Sequence, residues 1–304
     1  MGGPVKIIIW ASPRTCSTAL LKCMSSLPNA KIFDELYSIA FLLGPDRLDQ
    51  RPTGEEPQAS QAGQGKGYAF PSSICTYEWI KETLQQDYPG GEFVISKEIV
   101  YCLNQKYDCL PEGYRHVFLL RHPSKVFPSW KKLTYDVLNM MEYSTELPAS
   151  ADEFVFDQQP PHLLPPGKSF KEAYDLYQYV KEKKLDVDPV IIDADDLIQN
   201  PEGIVSAMCA KLGIPYTESL LTWDKGTDIV DTWTVGIAFK NIIQHSEAYK
   251  NFRNSTSFRR PELEKQATAR PVESRVTPDI ERCVSFSMPF YQKMYEQRLQ
   301  VDNI

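Results

Sequence analysis

The stretch Val5-Lys6-Ile7-Ile8-Ile9-Trp10-Ala11-Ser12-Pro13-Arg14-Thr15-Cys16-Ser17-Thr18 decides the fold. Apart from Lys6, Val5 to Trp10 is apolar and mostly β-branched, without polar alternation. Such a run predicts a strand covered on both faces. A tight turn follows at Ala11–Cys16. Ser17 or Thr18 is then expected to cap a helix carrying Leu20, Leu21, Met24 and Leu27, the spacing of one apolar helix face. Pro28-Asn29 ends it, and Ala30–Phe33 reads as a second short strand. Strand, loop, helix and strand in that order open an α/β domain.

The alternation continues downstream. Thr76–Gln86 predicts a helix, Glu92–Ser96 and Arg115–Leu120 predict strands, and residues 123–142 predict a helix after Pro123. Phe170–Lys183 is amphipathic at helical spacing, and Pro189–Asp193 is a strand. Asn200-Pro201 supplies a cap and a proline at the first helical position, and Gly213 stops that helix after Leu212. A last helix starts at Pro278 and runs to about Leu299. Residues 44–73 and 143–168 read as long loops, and 218–260 as an irregular, aromatic stretch. The expected fold is α/β: one P-loop-type domain over residues 1–304, with a mostly parallel sheet and helices on both faces.

Composition narrows the function. The chain has 304 residues, 42% hydrophobic and 24% charged, so it can bury a core without staples. A net charge of −7 argues against a nucleic-acid partner. The seven cysteines include no C-x-x-C and read as reduced, buried thiols. The four histidines lack metal-ligand spacing. No run reaches membrane-spanning length, and the N-terminal apolar stretch is too short for a signal peptide. A cytoplasmic protein with no membrane partner is expected; no motif fixes its oligomeric state.

Two motifs carry chemistry. Ser12–Thr18 lies between a strand and a helix, where free backbone N–H groups bind anions. Arg14 adds a planar cationic fork, and Ser17 and Thr18 add hydroxyls. A plain capped turn is the simpler alternative. The Walker A pattern G-x-x-x-x-G-K-[ST] is absent, which disfavours ordinary nucleotide hydrolysis. The second motif is Arg121-His-Pro-Ser-Lys-Val-Phe-Pro-Ser129. Arg121 stands at a strand's carboxyl edge, where open α/β sheets bind ligands. Ser129 follows eight residues on, about two helical turns. A surface pair or helix cap is the alternative for Arg121.

Together these residues resemble the sulfotransferase superfamily, whose donor is 3′-phosphoadenosine-5′-phosphosulfate (PAPS). Ser12–Thr18 looks like its 5′-phosphosulfate loop, and Arg121 with Ser129 matches its 3′-phosphate motif. Ile192-Asp-Ala-Asp-Asp-Leu197, Asn200-Pro-Glu202 and Leu212-Gly-Ile-Pro215 are similar to its strand–acidic turn–helix element. Trp10-Ala-Ser-Pro-Arg14, Phe33-Asp-Glu-Leu-Tyr37, Gly44-Pro-Asp46 and Ser255-Thr-Ser-Phe258 resemble a divergent branch labelled branched-chain aminotransferase-like. No signature of a pyridoxal-phosphate site accompanies that label.

The resemblance implies a donor site built from Arg14, Thr15, Cys16, Ser17, Thr18, Arg121, Ser129 and Arg259, and it requires no metal. It implies Glu35 as base toward an acceptor hydroxyl or amine, since the K-x-H pattern of cytosolic members is replaced by Lys97-Glu98-Ile99. Lys97 is then expected near the bridging oxygen or the transferring group, and Glu98 is the second candidate base. Asp34, next to Glu35, would point elsewhere if the strand continued. Cys16 stands where the family usually has Gly, and Ala19 where cytosolic members place an aromatic residue against adenine. Trp223, Trp233 and Phe239 are candidates to wall an acceptor pocket, or to pack in the core. The implied activity is sulfuryl transfer to a small molecule, with PAP as the other product. A P-loop kinase-like phosphotransferase and a catalytically inactive nucleotide-binding homologue are the alternatives.

Overall fold

The computed structural model describes residues 3–49, 67–140, 147–258 and 277–301. In chain order its elements begin with β1 (Val5–Ala11), α1 (Ser17–Ser25), β2 (Ala30–Asp34), α2 (Leu36–Leu42), β3 (Ala69–Phe70) and α3 (Tyr77–Gln85). Then come β4 (Phe93–Ile99), β5 (Arg115–Leu120), α4 (Pro123–Met140), α5 (Phe170–Glu182), β6 (Val190–Asp193), α6 (Ala194–Gln199) and α7 (Pro201–Leu212). The last are β7 (Trp233–Gly236), α8 (Ile237–His245), α9 (Lys250–Asn254) and α10 (Pro278–Tyr295).

Seven strands form one parallel sheet in the order β3-β7-β2-β4-β1-β5-β6. The expected α/β class is borne out. Ile7, Ile8, Ile9 and Trp10 are at most 1% exposed, as a central strand covered on both faces requires. β1 lies between β4 and β5. The chain leaves β1 toward β2 on one side and crosses back from β4 to β5 on the other. That reversal opens a crevice at the carboxyl ends of β1 and β5.

Local chemistry sets most boundaries. The Thr76 hydroxyl accepts from the Trp79 amide at 3.1 Å and caps α3. Asn200 caps α7 through the Gly203 amide at 3.0 Å, and Gly213 ends it at φ 70°. α10 packs on α4 and α5 and is tied in by the Lys131–Asp279 ion pair at 3.1 Å. Tyr291 of α10 donates to Asp193 at 3.0 Å.

Three expectations change. α1 is capped by neither Ser17 nor Thr18: its cap residue is Cys16, at φ 64° and without a side-chain bond. β4 runs past Ser96 to Ile99 and so carries Lys97 and Glu98 into the sheet interior. The irregular stretch 218–260 contains β7, α8 and α9, and β7 pairs with β2. β7 has four residues joined directly to a helix, too short for a periodic signal. Of the two long loops, 50–66 and 143–146 lie outside the described residues, whereas the first also contributes β3. All seven cysteines are unpaired thiols, six of them buried. No helix among the described residues is long and apolar enough to cross a membrane.

Candidate active site

The loop after β1 coils tightly. Arg14 and Cys16 both take positive φ, 69° and 64°. Turns of this kind set backbone N–H groups around a concave anion site. Cys16 fits there because its side chain is small, and glycine would hold the same conformation without side-chain strain. Thr15 is fully buried and donates from Oγ1 to the Ser12 carbonyl at 2.8 Å, so it braces the loop from within. The Ser12 hydroxyl accepts from Ser169 at 2.8 Å. The first turn of α1 has no side-chain cap, which leaves its amides and the positive end of its dipole facing the crevice. Arg14, Cys16, Ser17 and Thr18 line a cavity of about 820 Å³.

The second motif meets the first there. Arg14 Nε donates to Ser129 Oγ at 2.8 Å, across 115 residues of sequence. Arg121 reaches back to the Arg14 carbonyl at 3.3 Å and lies 3.4 Å from Asp195. Arg121 and Ser129 both line the cavity. Two guanidinium groups and three hydroxyls therefore converge on the N-terminus of α1, an arrangement suited to an oligoanion.

Glu35 reaches the same cavity from β2. The strand stops at Asp34, and Glu35 turns to φ 56° as the residue before α2. The strand does not continue, so Asp34 and Glu35 do not point apart. Both carboxylates reach Lys97 Nζ, Asp34 at 2.6 Å and Glu35 in a shorter contact. The Glu35 amide also donates to the Lys97 carbonyl at 2.7 Å, which locks the turn. Burial alone would lower the Lys97 pKa, but Asp34 and then Glu35 overcome it and hold the ammonium charged. Glu35 lines the cavity; Lys97 is fully buried behind it and does not.

Glu98 is fully buried and does not line the cavity. Its carboxyl accepts from the Tyr37 amide at 2.9 Å and bonds Ser96 at 2.6 Å. Burial pushes it up to about 8. Arg259 lies outside the described residues. Phe239 lines the cavity, whereas Trp223 donates to Ser255 at 3.2 Å and Trp233 to Ser25 at 2.8 Å as packing residues. Ala19 also lines the cavity, and aromatic rings come instead from Phe239, Phe252 and Phe258. Sequence reasoning missed Lys225 and the placing of Tyr249. Arg14 reaches the Ala248 carbonyl at 3.4 Å, and the half-buried Tyr249 lines the same cavity as Glu35, its phenol held above the usual range by desolvation and then by the Glu35 charge. Lys225 sits in the stretch read as irregular and had no motif to mark it.

A family model described as a sulfotransferase domain matches residues 182–297. Branched-chain-amino-acid aminotransferase-like protein 1 of Arabidopsis thaliana is 24% identical over 228 residues, 74% of this chain and 33% of that protein. Sulfotransferase ppzF of Metarhizium majus (strain ARSEF 297) is 25% identical over 196 residues, 61% of this chain and 53% of that protein. The sulfotransferase domain of the Synechococcus PCC 7002 olefin synthase shares the fold. Its TM-score is 0.51 at 17% identity, over 94% of this chain and 95% of that one. The resemblance to the sulfotransferase superfamily is thus borne out, with the aminotransferase-like branch among the relatives. The chain spans about a third of the length of the plant relatives it matches.

Proposed function

We propose that the chain transfers a sulfuryl group from PAPS to a hydroxyl or amine of a small-molecule acceptor. The observation that carries the proposal is the meeting of Arg14, Ser129 and Arg121 at the open end of α1, with Glu35 on the same cavity. The loop amides, Ser17, Thr18 and Arg14 would hold the 5′-phosphosulfate; Arg121 and Ser129 would hold the 3′-phosphate. Arg259 is proposed for the 3′-phosphate as well. Such fixed donors stabilise charge as it develops on the leaving phosphate, and positioning does most of the rest.

In the proposed step the acceptor oxygen or nitrogen attacks sulfur in line with the bridging oxygen. The new bond to sulfur forms as the bond from sulfur to the 5′-phosphate breaks. PAP leaves with that electron pair, and the acceptor proton passes to Glu35. Lys97 acts through Glu35: its ammonium, shared with Asp34, anchors the carboxylate in one position at the cavity wall. This departs from a direct contact between Lys97 and the donor.

The test is Glu35→Gln. It should retain PAP affinity within about twofold and lose roughly 10²–10⁴ in turnover of labelled sulfate from PAPS. Full activity would remove Glu35 as base. Turnover with ATP and Mg²⁺ in place of PAPS would replace the reading with a phosphotransferase. PAP binding with no turnover of any acceptor in the intact protein would leave a nucleotide-binding homologue.

A further inference from the structure

Beyond the donor end, the cavity continues between α2 and α4. α2 presents Glu35, Ser38, Phe41 and Leu42 to it, the spacing of one helix face. From Glu35 to Leu42 that face is about 10 Å long. α4 presents Ser129, Trp130, Leu133, Thr134, Val137 and Leu138, again a single face, about 13 Å long. Tyr101 bridges the two walls: its ring meets Phe41 edge-on at 5.7 Å and stacks on Trp130 at 5.6 Å. The two walls are thus joined through Tyr101, with Phe41 of α2 on one side of its ring and Trp130 of α4 on the other.

The far end is marked by Asp49 and His162, 3.7 Å apart. The amide of Leu48 donates to the Phe41 carbonyl at 3.0 Å, which sets Asp49 beside the end of α2. The walls named above and Tyr101 offer three hydroxyls beyond the donor end, Ser38, Thr134 and Tyr101, against the apolar or aromatic side chains of Phe41, Leu42, Trp130, Leu133, Val137 and Leu138. A sugar buried there would leave most of its hydroxyls without partners, at a cost for each. An alkyl or aryl body would lose only apolar contact with water.

We infer that the acceptor is an elongated apolar alcohol or amine. Its reacting group lies at Glu35 and its body fills the α2–α4 lobe over about 10 Å. The inference rests on the sulfotransfer reading for the word acceptor, and on the lobe itself for the class of molecule.

The experiment is a calorimetric ladder of 1-butanol through 1-octanol on the whole chain, with and without PAP, and methyl glucoside for contrast. The dissociation constant should fall about fourfold per added methylene, and methyl glucoside should not compete. Leu133→Trp or Val137→Phe, each of which fills the lobe, should flatten the ladder; PAP binding by each variant reports that it is folded. A flat ladder on the wild-type chain that binds PAP, or methyl glucoside binding more tightly than octanol, overturns the inference and leaves the donor reading intact. A steep ladder that both variants retain while binding PAP places the site elsewhere and overturns it too. If PAP fails to bind the wild-type chain, the donor reading falls, and the acceptor role with it.

Discussion

Cys16 holds φ 64° at the mouth of the anion loop, a conformation that costs a side-chain-bearing residue about 1–2 kcal/mol. Glycine removes that cost but loses about 0.5–1 kcal/mol through the unfolded chain. Cys16→Gly should therefore stabilise the protein by roughly 0.5–1 kcal/mol in urea unfolding; a loss of stability would show that Cys16 packing outweighs the strain. Glu98 is a second test at this scale. Its carboxyl is buried and pushed up to about 8, so the folded state binds its proton more tightly than the unfolded chain does. Stability from this group is complete below the unfolded value of 4.5 and is lost as pH rises toward 8. Glu98→Gln should raise the melting temperature relative to wild type at pH 8, with little difference at pH 5. An equal shift at both values would mean that Glu98 stays ionised. Arg14, Arg121 and Ser129 were legible in the sequence because each sits at a fixed offset from a strand end. The pairing of Lys97 with both acids was not, since it depends on where β2 stops and on the backbone turn at Glu35.

Among the elements, those with chemical punctuation were readable. Asn200, Pro201 and Gly213 mark both ends of α7, and Thr76 marks the start of α3. Asn200→Ala should cost about 1 kcal/mol, because the Gly203 amide loses its acceptor. Urea unfolding checks this, and no change would mean that water or a neighbour replaces the cap. β7 and α2 carried no such marks. β7 is a four-residue strand whose place is fixed by pairing with β2 about 200 positions earlier, a contact no local pattern encodes. α2 has seven residues, all but one of them buried, so it lacks the polar face that gives a helix its period. The same burial makes α2 a fixed wall, and that wall carries Glu35 at one end and the apolar lobe along its side.

At the scale of the molecule, a chain of net charge −7 gathers cations at one sheet edge. Arg14, Arg121 and Lys225 all line the cavity, although they come from loops far apart in sequence. The parallel sheet brings Arg14 and Arg121 together, because β1 and β5 deliver their carboxyl ends to the same side, and Lys225 joins them from the segment before β7. Local fields of this kind bind anions whatever the net charge. The proposed function requires this edge to bind a nucleotide carrying both a 5′ and a 3′ phosphate. Calorimetry of PAP binding to the intact chain and to Arg121→Ala tests it most directly. Saturable one-to-one binding is expected, weakening roughly 10- to 100-fold in the variant, while binding of 5′-AMP, which lacks the 3′-phosphate, is insensitive to the change. No binding of PAP to the wild-type chain, or equal affinity in the variant, would contradict it.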